Sequence, residues 1–170
     1  AWERWRDAPA AERGPEALAS ASADLDTALA ALDALLALGV TAERHSLRSA
    51  VHKRRALIAR ERADDRAAQS ALQAMAQDAE RAHALADAAA DPPRFYPALN
   101  RLAADWCVGL ALDEPLARRT REDLLRLRRD DPDFWSVVGL ADLTLIEALQ
   151  RGVLAAQAGE IERAWVALHD

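Results

Sequence analysis

Glycine and proline fall at the ends of helical patterns in this chain, and their spacing limits it to a succession of short helices. Gly14-Pro15 follows a polar opening segment, and Gly39 ends a run in which Leu25, Leu29, Leu32, Leu35 and Leu36 recur at helical spacing. Thr41 can cap a second helix, with Glu43 in its first turn, reaching to about residue 62. Asp64 or Asp65 can cap a third, which carries Leu72, Met75, Ala76, Ala79, Ala82 and Ala86 on one face. The prolines of DPPRFYP close it. A fourth helix is expected over about 96–112, and a fifth opens at Asp113 and Pro115 and ends near 129. DDPDFW restarts a sixth, to about 150, and after Gly152 and Gly159 a last helix carries Ile161, Trp165 and Leu168. No segment reads as a strand. The expected fold is all-α, about seven helices arranged as stacked hairpins. Two openings, DPPRFY and DPDFW, lie about 40 residues apart, a spacing found in helix-hairpin repeats.

Composition supports helices and narrows function. Hydrophobic residues are 51% of the 170, much of that alanine, and aromatics only 5%. The net charge of −6 argues against general nucleic-acid binding, which needs a basic surface to neutralise phosphates. One cysteine, Cys107, rules out an intrachain disulfide framework and fits a reducing, cytoplasmic setting. No apolar run approaches the length of a membrane span, so no membrane partner is expected. Of the 22 basic side chains all but Lys53 are arginine, which with the alanine excess suggests a GC-rich bacterial genome. The abrupt ends suggest a piece of a longer multidomain protein, with residues 1–14 closing a preceding segment or linker.

The second helix holds the anomaly. In ERHSLRSAVHKRRALI, residues 43–58, a helical wheel groups Leu47, Val51 and Ile58 on one stripe. Arg54 falls among them, and Ala50 and Leu57 widen the stripe. Ser46, Lys53 and Arg60 flank it on one side, and Arg44, Arg48, Arg55 and Arg62 lie on the other. A guanidinium buried without a partner costs several kcal/mol. Arg54 therefore needs an acid from another helix, with Asp105 and Asp142 as candidates, several carbonyls, or an anionic ligand. Lys53, the lone compact ammonium, sits beside it. It is either a chance survivor or a ligand contact.

The same stretch resembles the signature helix of the tetratricopeptide-repeat sensor module, through Glu43, Arg44, Ser46, Leu47, Lys53 and Arg54. FYPALN, with Tyr96, Pro97 and Asn100, and DFWSVVGLADLTL, with Trp135, Ala141 and Asp142, are similar to two further elements of that family. Arg48, Ser49, Ala50 and His52 stand where the family pattern has Leu, Gly, Ser and Tyr. The resemblance covers about residues 25–168. It implies a tetratricopeptide-like sensor domain over 15–170, similar to the central repeats of apoptosis-signal-regulating kinases. In bacterial conflict systems such a module would bind a nucleotide-like small molecule and control a linked effector.

The residues on their own suggest a related site. In a hairpin solenoid the first helices of successive hairpins line the concave surface. Here these carry Arg44, Ser46, Lys53 and Arg54, then Tyr96 and Asn100, then Trp135 and Asp142. Cations and hydroxyls suit phosphate, an aromatic suits a base, and an amide or acid suits a base edge or a ribose. Tyr96 and Trp135 fit core packing equally, and Phe134, Trp106 and Trp165 read as core. The alternative function is a scaffold gripping a peptide or partner protein in the same groove. No catalytic set is expected: HExxH, GxxxxGK[ST] and GxSxG are all missing. No metal or cofactor is expected either. His45 and His52 share a face but stand seven residues apart, about 10 Å along the axis. Cys107 reads as a buried thiol.

Overall fold

The computed structural model describes residues 14–89, 95–131 and 134–166, and these form seven α-helices. They are α1 (Pro15–Leu38), α2 (Ala42–Glu61), α3 (Asp65–Ala89), α4 (Phe95–Cys107), α5 (Glu114–Asp130), α6 (Phe134–Gln150) and α7 (Leu154–Val166). No strand occurs among the described residues. The fold is all-α, as the breaker pattern implies. The opening segment before Gly14, the DPPR run expected to close the third helix, and Leu168 lie outside the described residues. The last helix starts at Leu154, before Gly159 and not after it, because a single glycine inside a helix only weakens it.

The local signals act where the sequence puts them. The Thr41 hydroxyl accepts from the Arg44 N–H at 3.2 Å, opening α2. Asp64 accepts from the Ala67 N–H at 2.9 Å, and Asp113 from the Leu116 N–H at 2.9 Å. Each satisfies one donor that a helix start leaves orphaned. The fourth helix is shorter than expected, stopping at Cys107 instead of continuing to 112. Gly109 takes φ +80°, and the Leu110 N–H turns back to the Asp105 carbonyl at 2.9 Å. That is a left-handed C-terminal cap, and the apolar residues beyond it continued the helical pattern only in sequence. The end of α2 has the same form, with the Asp64 N–H on the Ala59 carbonyl at 2.9 Å. There an alanine, Ala63, holds φ +55°.

The chain divides into two compact units, one reaching to Leu85 and the other starting at Ala86. In the first, Leu18, Ala21 and Leu25 of α1 pack with Ile58 and the partly covered Val51 of α2. The second has the larger apolar core, with Phe95, Leu99 and Leu102 of α4, Leu116 and Leu124 of α5, and Leu143 and Ile146 of α6. Helix α6 packs against α4, α5 and α7. Gly139 permits that approach, because a Cβ there would stand 2.8 Å from Leu124 Cδ2 and 3.3 Å from Leu99 Cδ1.

Candidate functional site

Helix α2 presents a different face to its neighbours from the one its apolar residues mark. Leu47 is 49% exposed and Leu57 40%. The buried residues are His45, Ser49, His52, Ala56, Ile58 and Ala59. Apart from Ile58 these follow one stripe at steps of three and four residues, the spacing of a single helical face. Two imidazoles and a hydroxyl occupy the interior there, and they need polar partners.

The partner is Asp78 of α3, 1% exposed. His45 Nδ1 donates to Asp78 Oδ1 at 2.8 Å. An ionised carboxylate only accepts, so Nδ1 carries the hydrogen. Arg48 Nε lies 3.3 Å from Oδ2, and His52 Nε2 lies 3.6 Å from the same oxygen. Arg81 NH1 reaches 4.0 Å from Oδ1. Nearby, the Ser49 hydroxyl donates to the Met75 carbonyl at 3.0 Å. Arg48 also pairs with Asp33 of α1 at 3.1 Å, so one guanidinium links three helices. Burial pushes the His52 imidazole below its ordinary pKa, and Arg48 and Arg55 add to the effect while Asp78 opposes it. His52 Nε2 is fully enclosed and makes no hydrogen bond.

The arginine ladder next to this stripe faces α1. Arg55 pairs with Asp26 at 3.3 Å, and Arg62 donates to the Leu18 carbonyl at 3.1 Å. Arg44 reaches back to the end of α1, where NH1 donates to the Leu35 carbonyl at 2.7 Å and also to the Gly39 carbonyl. It thereby satisfies carbonyls that a helix end leaves open. This is a structural task for a residue that the sequence offered as a ligand contact.

Of the remaining candidates of α2, Arg54 lies opposite the buried stripe on the wheel, while Ser46 and Lys53 flank it about a quarter-turn away. Ser46 and Arg54 are half-buried and Lys53 is exposed. Arg54 NH1 donates to the Ala50 carbonyl at 3.0 Å. Arg54 therefore does not occupy the centre of a buried apolar stripe, because the helix is turned with its polar stripe inward. Asp105, one acid considered for it, is buried 3.6 Å from Arg101 Nε.

Tyr96, Asn100, Trp135 and Asp142 belong to the second unit, on the packed helices α4 and α6. Tyr96 is 50% exposed and Trp135 60%, so neither is core. Asn100 and Asp142 are half-buried. Phe134 stands edge-on to Trp135, with ring centroids 5.2 Å apart, and is itself exposed, as is Trp106. Both were expected in the core. Phe134 is the first residue of α6, and Trp106 falls off the buried stripe of α4. Cys107 is only partly buried.

A cleft of about 260 Å³ opens in the first unit, lined by residues of α1, α2 and α3 and of the turn between α2 and α3. Its walls include Ser22, His52, Arg55, Arg62, Asp64 and Ser70 over a floor with Ile58 and Ala59. None of the eight residues expected to bind ligand lines it. Among the described residues, no three His, Cys, Asp or Glu side chains are grouped to hold a metal ion. No described helix is long and apolar enough to cross a membrane.

Sequence reasoning passed over the Asp78 cluster. The signal was present: His45, Ser49 and His52 share a face, and Asp78 interrupts the Met75, Ala79, Ala82 stripe of α3. No family model matches the chain, and neither a curated protein nor a solved structure does.

Proposed function

We propose that the chain is a regulatory, ligand-binding helical-hairpin module of the tetratricopeptide-repeat sensor type, acting in the cytoplasm of a bacterium. It would take an anionic, nucleotide-like small molecule and control a linked effector. The supporting observation is the two-sided character of α2. Its inner side is committed to Asp78, α1 and α3, while Lys53 is exposed away from that side, with Ser46 and the partnered Arg54 half-buried near it. A hydroxyl, an ammonium and a guanidinium on one helix face suit a phosphate or pyrophosphate. In the second unit, taken by itself, Tyr96 and Trp135 are exposed and Asn100 and Asp142 half-buried.

The test is calorimetry of the whole chain with ADP-ribose-type compounds, repeated with Lys53→Ala and Ser46→Ala. Saturable binding that each substitution weakens by about tenfold supports the reading. Failure to bind any of these compounds, or binding indifferent to both substitutions, rejects it. A protein-binding scaffold is the second reading, favoured by the exposed Leu47 and Leu57 on the same face of α2. That scaffold would lose partner binding on Leu47→Ala and bind no nucleotide.

A further inference from the structure

The cleft of the first unit is separate from the residues just discussed. Arg55 and Arg62 face it from α2 and the turn that follows, Ser22 from α1 and Ser70 from α3. Asp64 is the one acid in its lining, and its Oδ1 is taken by the Ala67 N–H. The cleft thus gathers two guanidinium groups against one lining carboxylate, with Asp26 paired to Arg55 beside it. Its cations have capacity to spare. Arg62 gives one hydrogen bond, to the Leu18 carbonyl, and a guanidinium has five N–H groups. Arg55 holds Asp26 in an exposed pair, of the weak and exchangeable kind. Neither serine hydroxyl has a hydrogen-bond partner among the described residues. His52 borders the cleft with its ring, while its enclosed Nε2 is turned to Asp78 Oδ2 at 3.6 Å.

We propose that this cleft binds a phosphate group carried by a small molecule. Two guanidinium groups and two hydroxyls drawn from three helices and a turn form a donor-rich wall, which is what phosphate oxygens require. The arginines stand seven residues apart, about 10 Å along the axis. Long side chains closing over that distance suit a pyrophosphate, or a phosphate with an organic body, better than a monatomic anion. The volume, about 260 Å³, has room for such a group. The apolar floor around Ile58 and Ala59 gives the organic part a surface to lie on.

The experiment is calorimetric titration of the whole chain with pyrophosphate and with ribose 5-phosphate, followed in parallel by the His52 imidazole resonances. Saturable binding that moves those resonances is expected. Arg55→Gln and Arg62→Gln should each weaken it by about tenfold or more, and Ser70→Ala by less. Arg55 is exposed, so its variant keeps the fold even if Arg62→Gln does not. Lys53→Ala, on the opposite side of α2, should leave this binding unchanged, which separates the cleft from the function proposed above. Absence of saturable binding for both probes overturns the proposal. So does binding that leaves His52 unmoved, that survives Arg55→Gln at full strength, or that is lost in Lys53→Ala.

Discussion

Removing the carboxylate of Asp78 should be among the most damaging single changes in the first unit. In Asp78→Ala the His45 Nδ1–H, now bonded at 2.8 Å, is stranded in the interior. A buried donor left unsatisfied costs about 1–3 kcal/mol. Arg48 keeps Asp33 but loses its only enclosed counter-charge, 3.3 Å from Nε. Breaking a buried pair from one side costs about 3–5 kcal/mol, which already contains the stranded-donor penalty. The expected loss is therefore about 3–5 kcal/mol, a large part of the 5–15 kcal/mol typical of folded proteins. Asp78→Asn keeps the volume and one acceptor, and should cost about 1–3 kcal/mol. The assay is urea denaturation at neutral pH, reading the midpoint and checking that the slope is constant. A double-mutant cycle with Arg48→Met should return a coupling of about 0.5–3 kcal/mol, as for residues in one ion-pair network. If Asp78→Ala falls within about 1 kcal/mol of the parent at unchanged slope, the cluster is not holding these helices and the account of α2 fails.

Three further outcomes follow from the structure. The His52 pKa is lowered in the folded state, so its contribution to stability is fully present above the ordinary histidine value near 6.5. That stability should drain away as pH falls through the depressed folded value, and His52→Gln should flatten the decline in urea midpoints between pH 7 and 5. Ala63 sits at φ +55°, where a Cβ costs about 1–2 kcal/mol, so Ala63→Gly should raise the melting temperature despite glycine's greater freedom when unfolded. Gly139→Val would push a Cβ and two methyls toward Leu124 and Leu99, and should cost about 1–3 kcal/mol in the second unit, read as a lowered urea midpoint.

What was legible in the sequence was local. Thr41, Asp64 and Asp113 announce helix starts because a short polar side chain bonds a backbone group three residues on, whatever the rest of the chain does. The rotation of α2 was not legible. Leu47, Val51 and Ile58 describe an apolar stripe, yet Leu47 is half-exposed and two histidines are buried. The deciding residue, Asp78, lies on another helix, and no wheel drawn for α2 contains it. Residue type misled at Phe134 and Trp106 too, because aromatic area is buried only where a neighbour covers it. For the candidate site, the sequence grouped residues of α2 whose roles the structure separates. Arg44 clamps the end of α1, Arg48 and Arg55 bind acids of α1, and Ser46 and Lys53 face outward.

A helix fastened on one side by directional polar bonds can neither spin about its axis nor slip by a residue without breaking several at once. Apolar packing alone tolerates such sliding far better. The azimuth of Ser46 and Lys53 is thereby pinned by bonds made about a quarter-turn away around the helix. The outer surface of α2 is in consequence free to vary: substitutions there leave its seating undisturbed.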